Sequence, residues 1–335
     1  MLVASFLMQP ATSNQQPVTR IMQNFTSVHD VNNIKDLVKE GLKLKANPLK
    51  YKKLGQDKTL VLLFFNPSLR TRLSTQKAAL NLGMNVIVMN MTEGWNLEFE
   101  DGVTMNTDKA EHIKEAAKVI SQYADIIGIR TFPSLTDKKK DYADFILNKF
   151  IKHSEVPIVS LESAIRHPLQ SLADLLTMKE LGKVKKPKVV LSWAPHPRAL
   201  PQAVSNSFVE WVLNAGMDLT ITHPKGYELS KKFTKGATIE YNQTKAFKDA
   251  DFIYTKNWSS FKDYGKILST DKNWMITKAK MDLTNKGKFM HCLPVRRNVV
   301  VAGDVLDSKY AAVINQANNR TYAAQAVLKN ILEDL

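Results

Sequence analysis

The sequence predicts an α/β protein: two doubly wound, parallel-sheet domains with a cleft between them. That expectation rests on three observations. Short β-rich apolar runs alternate with longer segments of helical pattern, as parallel sheets with crossover helices require. The 335 residues exceed twice the ~150 of an average domain, which leaves room for two α/β domains or one large barrel. The polar residues fall just beyond the carboxyl ends of the apolar runs, where open α/β sheets bind ligands, so they converge most economically on one crevice between two sheets.

In the first half the expected strands are Leu60–Phe65, Asn85–Met91, Asp125–Arg130 and Pro157–Leu161, each a run of apolar and β-branched residues. In the second half they are Lys188–Trp193, Asp218–His223, Asp251–Thr255 and Lys288–His291. Helical spacing marks Leu69–Leu82, Lys109–Tyr123, Tyr142–His153, Leu169–Leu181, Gln202–Ala215 and Asn318–Leu335. The polar segment Lys183 to Pro187 is the expected crossing between a first domain, 22–182, and a second, 183–317. No repeat of solenoid period is present.

With 44% hydrophobic and 24% charged residues, the chain can bury a full core. The lone cysteine, Cys292, excludes an intramolecular disulfide framework or multi-cysteine zinc site and fits a reducing compartment, the cytoplasm. A net charge of +15 attracts phosphates, acidic metabolites and nucleic acid alike. Much of it is Lys in polar runs such as Lys138 to Lys140, read as a solvated face. No apolar run approaches the ~20 residues of a membrane span. The apolar stretch Leu2 to Met8 lacks a basic segment before it, so residues 1–21 read as a disordered extension, or as an artefact of start-site choice with Met22 as the true beginning.

Ser68-Leu69-Arg70-Thr71-Arg72 follows a strand and opens a helix behind Pro67. Helix N-terminal N–H groups, two hydroxyls and two guanidiniums there suit a phosphate dianion. Arg130, His167 and Gln170 add donors from neighbouring strand ends. His167 and Gln170 suit polarising a carbonyl or holding an amide. No metal is expected, since no second His or carboxylate stands at ligand spacing. Nothing in the sequence pairs Cys292, in His291-Cys292-Leu293-Pro294, with a general base, and it is not read as a nucleophile.

Through S-x-R-T-R at Ser68 to Arg72, H-P-x-Q at His167 to Gln170 and H-C-L-P at His291 to Pro294, the chain resembles the aspartate/ornithine carbamoyltransferase family over roughly residues 25 to 335. H-C-L-P resembles the ornithine-type branch. The resemblance implies that Ser68, Leu69, Arg70, Thr71 and Arg72 bind carbamoyl phosphate, with Arg130, His167, Gln170, Cys292, Leu293 and Arg320 completing the site. Arg320 lies in the terminal helix, which must then fold back onto the first domain. Catalytic roles fall to His167, Arg130, Thr71 and Cys292, the thiol touching the carbamoyl group without covalent catalysis.

One departure bears on the second substrate. Free-ornithine enzymes carry a D-x-W-x-S-M-G loop, whereas this chain has Lys256-Asn257-Trp258-Ser259-Ser260. That resembles the N-acylornithine carbamoyltransferases of bacterial arginine synthesis, which share Trp95, Glu162, the WAPHPR segment Trp193 to Arg198, and Arg296. By analogy Glu162, His196, Arg198, Lys256 and Arg296 hold the acylornithine, and Trp95 reaches into a neighbouring subunit's carbamoyl phosphate site in a homotrimer.

Ala110 stands where acetyl-specific enzymes have Glu and succinyl-specific ones Pro; a small apolar residue removes the like charge that would repel a succinyl carboxylate. Val300 stands where acetyl-type enzymes carry a Lys. Both favour N-succinylornithine, with N-acetylornithine the alternative. The implied reaction needs no cofactor. A silent paralogue or a nucleic-acid binder are remoter readings, the latter lacking any zinc finger, basic zipper or RNP-type strand.

Overall fold

The computed structural model describes residues 22–91 and 95–335. The expected extension, 1–21, lies outside the described residues. Among these residues the first half builds a four-stranded parallel sheet, ordered β2-β1-β5-β6, from β1 (Thr59–Phe64), β2 (Asn85–Asn90), β5 (Ile126–Arg130) and β6 (Ile158–Glu162). A separate short parallel pair joins β3 (Leu97–Glu98) to β4 (Glu111–His112). The second half forms a five-stranded parallel sheet, ordered β11-β10-β7-β8-β9. Its strands are β7 (Lys188–Trp193), β8 (Asp218–Thr222), β9 (Thr238–Ile239), β10 (Phe252–Lys256) and β11 (Lys288–Met290).

The inner strands read as unbroken apolar runs because both their faces are covered. In β1, Leu60, Leu62 and Phe64 join one core cluster while Val61 and Leu63 join another, the alternation that a pleat imposes. The first cluster is covered by α1 (Ile34–Ala46), α2 (Arg70–Leu82), α6 (Pro168–Leu181) and the long terminal helix α12 (Val313–Glu333). The second lies under α3 (Ile113–Ser121) and α5 (Phe145–His153). Helix α6 also packs on α7 (Ala203–Asn214), which joins the two sheets through one continuous core.

The terminal helix packs against α2, α6 and α1, so it does fold back onto the first sheet. It starts at Val313, five residues earlier than the spacing suggests. Two other expectations are corrected. Lys109–Tyr123 is not one helix: Glu111 and His112 pair with β3, and the His112 side chain then caps α3 by accepting from the Lys114 N–H. Tyr142–His153 divides into α4 (Lys138–Tyr142) and α5, because Asp144 takes a left-handed conformation at φ 47°. Helix α1, capped by Asn33, was not anticipated; nor were the short α8 (Lys231–Thr234), α9 (Gln243–Phe247), α10 (Lys278–Met281) and α11 (Gly303–Leu306).

Candidate active site

A cavity of about 790 Å³ opens where the carboxyl ends of β1, β5, β6, β7, β10 and β11 converge, so both sheets supply its walls. Five cationic side chains, Arg70, Arg72, Arg130, Lys256 and Arg320, line it against a single carboxylate, Glu162. This imbalance makes the cavity a strong anion trap, since low-dielectric walls focus the field of the guanidiniums.

Local sequence explains each placement. Pro67 ends the turn after β1, and Ser68 to Arg72 lead into α2, which has no side-chain N-cap and no acidic residue in its first turn. Its amino end therefore keeps its positive partial charge uncompensated. Arg130, the last residue of β5, donates to the Asn66 and Pro67 carbonyls at 3.1 and 2.9 Å and so fastens that turn. Glu162, its register partner at the end of β6, pairs with it at 3.0 Å. Arg320 arrives from α12, donating to the Thr71 hydroxyl at 2.7 Å and to the Gln170 amide oxygen. Arg72 bonds to the Asn90 side chain and lies over the Phe64 ring. The Nε–H groups of Arg70, Arg130 and Arg320 are buried and have no protein acceptor. An anion carrying several acceptor oxygens is the ligand that would satisfy such donors.

Burial and the surrounding cations hold the His167 imidazole well below its ordinary pKa, with Arg320, Arg130, Arg70 and Lys256 all contributing. It is neutral at pH 7, and its Nε2 lies 3.6 Å from Glu162. Burial pushes the Glu162 carboxyl up, opposed by Arg130, Arg320 and Lys256. The Cys292 thiol is likewise pushed up, chiefly by burial, and stays protonated. It forms part of the wall with Leu293, whose backbone takes the left-handed conformation, φ 55°. Such strain in a non-glycine residue concentrates at ligand sites.

On the opposite wall stand His196 and Lys256. Burial lowers the His196 pKa, as do Lys256 and Arg296. Its Nε2 accepts from Arg296 Nε at 3.1 Å, and its Nδ1 lies 3.0 Å from both the N–H and the carbonyl of Arg198, so the ring is held on both sides.

The cavity thus gathers Ser68, Leu69, Arg70, Thr71, Arg72, Arg130, Glu162, His167, His196, Lys256, Cys292, Leu293 and Arg320. Gln170 is not in its wall but behind it, fully buried. Arg296 stays exposed at the rim. The Arg198 side chain is exposed and outside the lining; only its backbone serves the site, because the WAPHPR segment turns it to solvent. Ala110 and Trp95 are also outside this chain's own cavity. Ala110 sits exposed with its N–H on the Asn96 carbonyl, and Trp95, 52% exposed, donates to Glu111 at 2.9 Å. The sequence reading missed the lining residues Phe132, Leu200, Pro201 and Val204, whose apolar character carries no chemical signal.

Residues 23–180 match the model of the aspartate/ornithine carbamoyltransferase carbamoyl-P binding domain, and 201–331 that of the Asp/Orn binding domain. The chain belongs to the aspartate/ornithine carbamoyltransferase family. It is similar to N-succinylornithine carbamoyltransferase of Bacteroides fragilis (53% identity, covering 94% of this chain and 100% of that protein). Its identity to N-acetylornithine carbamoyltransferase of Xylella fastidiosa is 35%, over 85% and 92%. Among solved structures it resembles a single-residue variant of N-acetyl-L-ornithine transcarbamylase complexed with carbamyl phosphate and N-succinyl-L-norvaline. There the TM-score is 0.87 at 33% identity, covering 92% of this chain and 99% of that one. In this carbamoyltransferase the first matched segment contains Arg70 and Arg130 and the second contains Lys256, and all three line the one cavity.

Proposed function

We propose that the protein transfers the carbamoyl group from carbamoyl phosphate to the δ-amine of N-succinyl-L-ornithine, giving N-succinyl-L-citrulline and phosphate, in arginine biosynthesis. The observation that carries this reading is the convergence of Arg70, Arg130 and Arg320, each with an unpartnered Nε–H, beside Lys256 and Glu162 in one cavity. The guanidiniums with Ser68, Thr71 and Arg72 take the phosphate. His167, neutral and therefore able to donate one N–H, joins Thr71 and Arg130 at the carbamoyl oxygen, where negative charge develops as the amine attacks. Cys292 and Leu293 bound the carbamoyl group. Lys256, His196 and Arg296 meet the carboxylates of the acyl amino acid, and Glu162 its amine.

Presenting a free amine from a δ-ammonium of pKa near 10.4 costs about 4 kcal/mol at pH 7.5. The surplus of positive charge in the cavity disfavours the ammonium and offsets part of that. Positioning and electrostatic stabilisation then carry the transfer.

The succinyl preference is supported by the higher identity to a protein named N-succinylornithine carbamoyltransferase. Val300 agrees with it: its side chain is buried at 2% exposure and carries no charge toward an acyl group. Assembly into a homotrimer is supported by an apolar groove of about 320 Å³ along the edge strand β2, where Ile87, Met89, Met91, Trp95 and Tyr123 gather. An open edge carrying exposed Ile87 and Met89 calls for a cover, and a second copy of the chain would bring Trp95 to a neighbour's cavity. The lone cysteine supports a cytoplasmic location; among the described residues no helix is long and apolar enough to cross a membrane.

The test is a ureido-product assay with carbamoyl phosphate and ornithine, N-acetylornithine or N-succinylornithine side by side. A dominant N-succinylornithine rate is expected. A dominant acetyl rate would overturn the acyl assignment, and inactivity with all three would overturn the enzymatic reading.

A further inference from the structure

Behind the cavity wall lies a buried polar network centred on Asp174, which does not itself line the cavity. Asp174, in the second turn of α6, has 0% exposure, yet its neighbours along that helix are Leu172, Ala173, Leu175 and Leu176. A carboxylate in such a stripe is costly to bury unless fully hydrogen-bonded. Burial pushes its pKa up to about 7, against the hydrogen bonds it accepts. Its Oδ1 accepts from Gln170 Nε2 at 2.8 Å and from Gln316 Nε2 at 2.6 Å.

Each amide faces a second partner of fixed polarity. Gln170 Oε1 accepts from Arg320, and Gln316 Oε1 accepts from the His291 N–H at 2.9 Å, one residue before Cys292. Guanidinium and backbone N–H only donate, and Asp174 Oδ1 accepts in either protonation state, because both amides donate to it and the other oxygen can carry the proton beside the Tyr254 hydroxyl. Both amides are therefore locked in one orientation of two.

We propose that Asp174 is a positioning residue for the carbamoyl phosphate half-site: through Gln170 it aims Arg320, and through Gln316 it fixes the entry to the Cys292–Leu293 wall. The proposal deepens the reading above and rests on it. Without the shared acceptor, both amides have a buried donor unsatisfied and are free to turn, presenting NH2 groups to Arg320 and to the His291 N–H, so that both arms loosen together.

The test measures carbamoyl phosphate binding by calorimetry and the KM of each substrate for wild type, Asp174→Leu and Asp174→Asn. Asp174→Leu should weaken carbamoyl phosphate binding at least tenfold while the acylornithine KM moves less than threefold. Asp174→Asn keeps an acceptor at the shared position and should restore binding to within about threefold of wild type. Equal losses in both half-sites, no rescue by Asn, or wild-type binding by a folded Asp174→Leu would overturn the proposal. If circular dichroism shows Asp174→Leu unfolded, Gln316→Met decides: at least fivefold weaker carbamoyl phosphate binding supports the proposal, and unchanged binding overturns it. Failure of wild type itself to bind carbamoyl phosphate would instead remove the functional reading beneath it.

Discussion

Arg320 donates a 2.7 Å hydrogen bond to the Thr71 hydroxyl across 249 positions of sequence, so the first turn of α2 and the eighth residue of the terminal helix form one wall of the cavity. That wall is thus held jointly by the second long helix of the first half and the last helix of the second.

Replacing Arg70 should separate binding from folding. Arg70 lines the cavity and its Nε–H has no protein acceptor, so Arg70→Ala removes charge-assisted bonds that only the ligand uses. Carbamoyl phosphate affinity should fall on the order of 100-fold, the equivalent of one or two such bonds, with the thermal midpoint little changed. Normal affinity would refute the assignment of the dianion to this wall.

Ala110→Glu should shift acyl selection. Ala110 is exposed, so it tolerates the larger side chain, and it is tied to the Trp95–Asn96 segment; in the proposed assembly a carboxylate there would face a neighbour's cavity and repel a succinyl but not an acetyl group. The ratio of kcat/KM for N-succinyl- over N-acetylornithine should drop about tenfold, a like-charge cost near 1.4 kcal/mol. An unchanged ratio would mean that acyl choice is made elsewhere.

Mixing two inactive variants should restore activity if Trp95 serves a neighbouring subunit. In assemblies containing both Trp95→Ala and Arg70→Ala chains, some cavities pair an intact Arg70 with an intact Trp95 from the next copy. Recovery of activity after co-refolding is expected; none would mean that Trp95 does not serve a neighbouring copy.

Breaking the Arg130–Glu162 pair should cost stability. Both side chains are 8% exposed and 3.0 Å apart, and removing one member of a buried pair leaves the other charge uncompensated, typically at about 3–5 kcal/mol. Glu162→Gln should lower the urea midpoint and weaken acylornithine binding together. A midpoint equal to wild type would count against this account of the pair.

The neutral state of His167 predicts a pH signature. Its folded pKa lies below the unfolded 6.5, so between the two values the unfolded chain binds the extra proton and stability falls as pH falls. Buried acids with raised pKa values, Asp174 and Asp144, act in the opposite sense. The difference between wild type and His167→Gln isolates the histidine: wild type should lose ground below pH 6.5 by up to about 1.4 kcal/mol per pH unit. Urea unfolding at pH 5.5, 6.5 and 7.5 measures it, and a pH-independent difference would show the ring is not held neutral.

The residues that the sequence made legible are those set at strand ends. Arg130, Glu162 and Lys256 each close an apolar run, so the topology of a parallel sheet forces them to one edge. The terminal helix and both sheets were legible for the same reason, strong periodicity. Asp174 was not: a single acid in an apolar helix resembles an ordinary polar face until its partners on α12 are seen. Gln316, 142 positions away from it, carries no sequence signal of that contact. The start of α3 was misjudged because the pairing of Glu111 and His112 with β3 is a tertiary choice that overrides helical propensity. Ala110 and Trp95 were named by resemblance alone, and their distance from the chain's own cavity is beyond what periodicity reports.

The placement of α12 also sets an order of events during synthesis. Helices α1, α2 and α6 leave the ribosome with an apolar seam open between them, and the helix that fills it is made after the whole second sheet. A nascent chain therefore carries an exposed groove and a cavity wall without Arg320 until α12 has been made. A product released before that helix is made would lack the Thr71 and Gln170 contacts of Arg320 and with them one wall of the cavity.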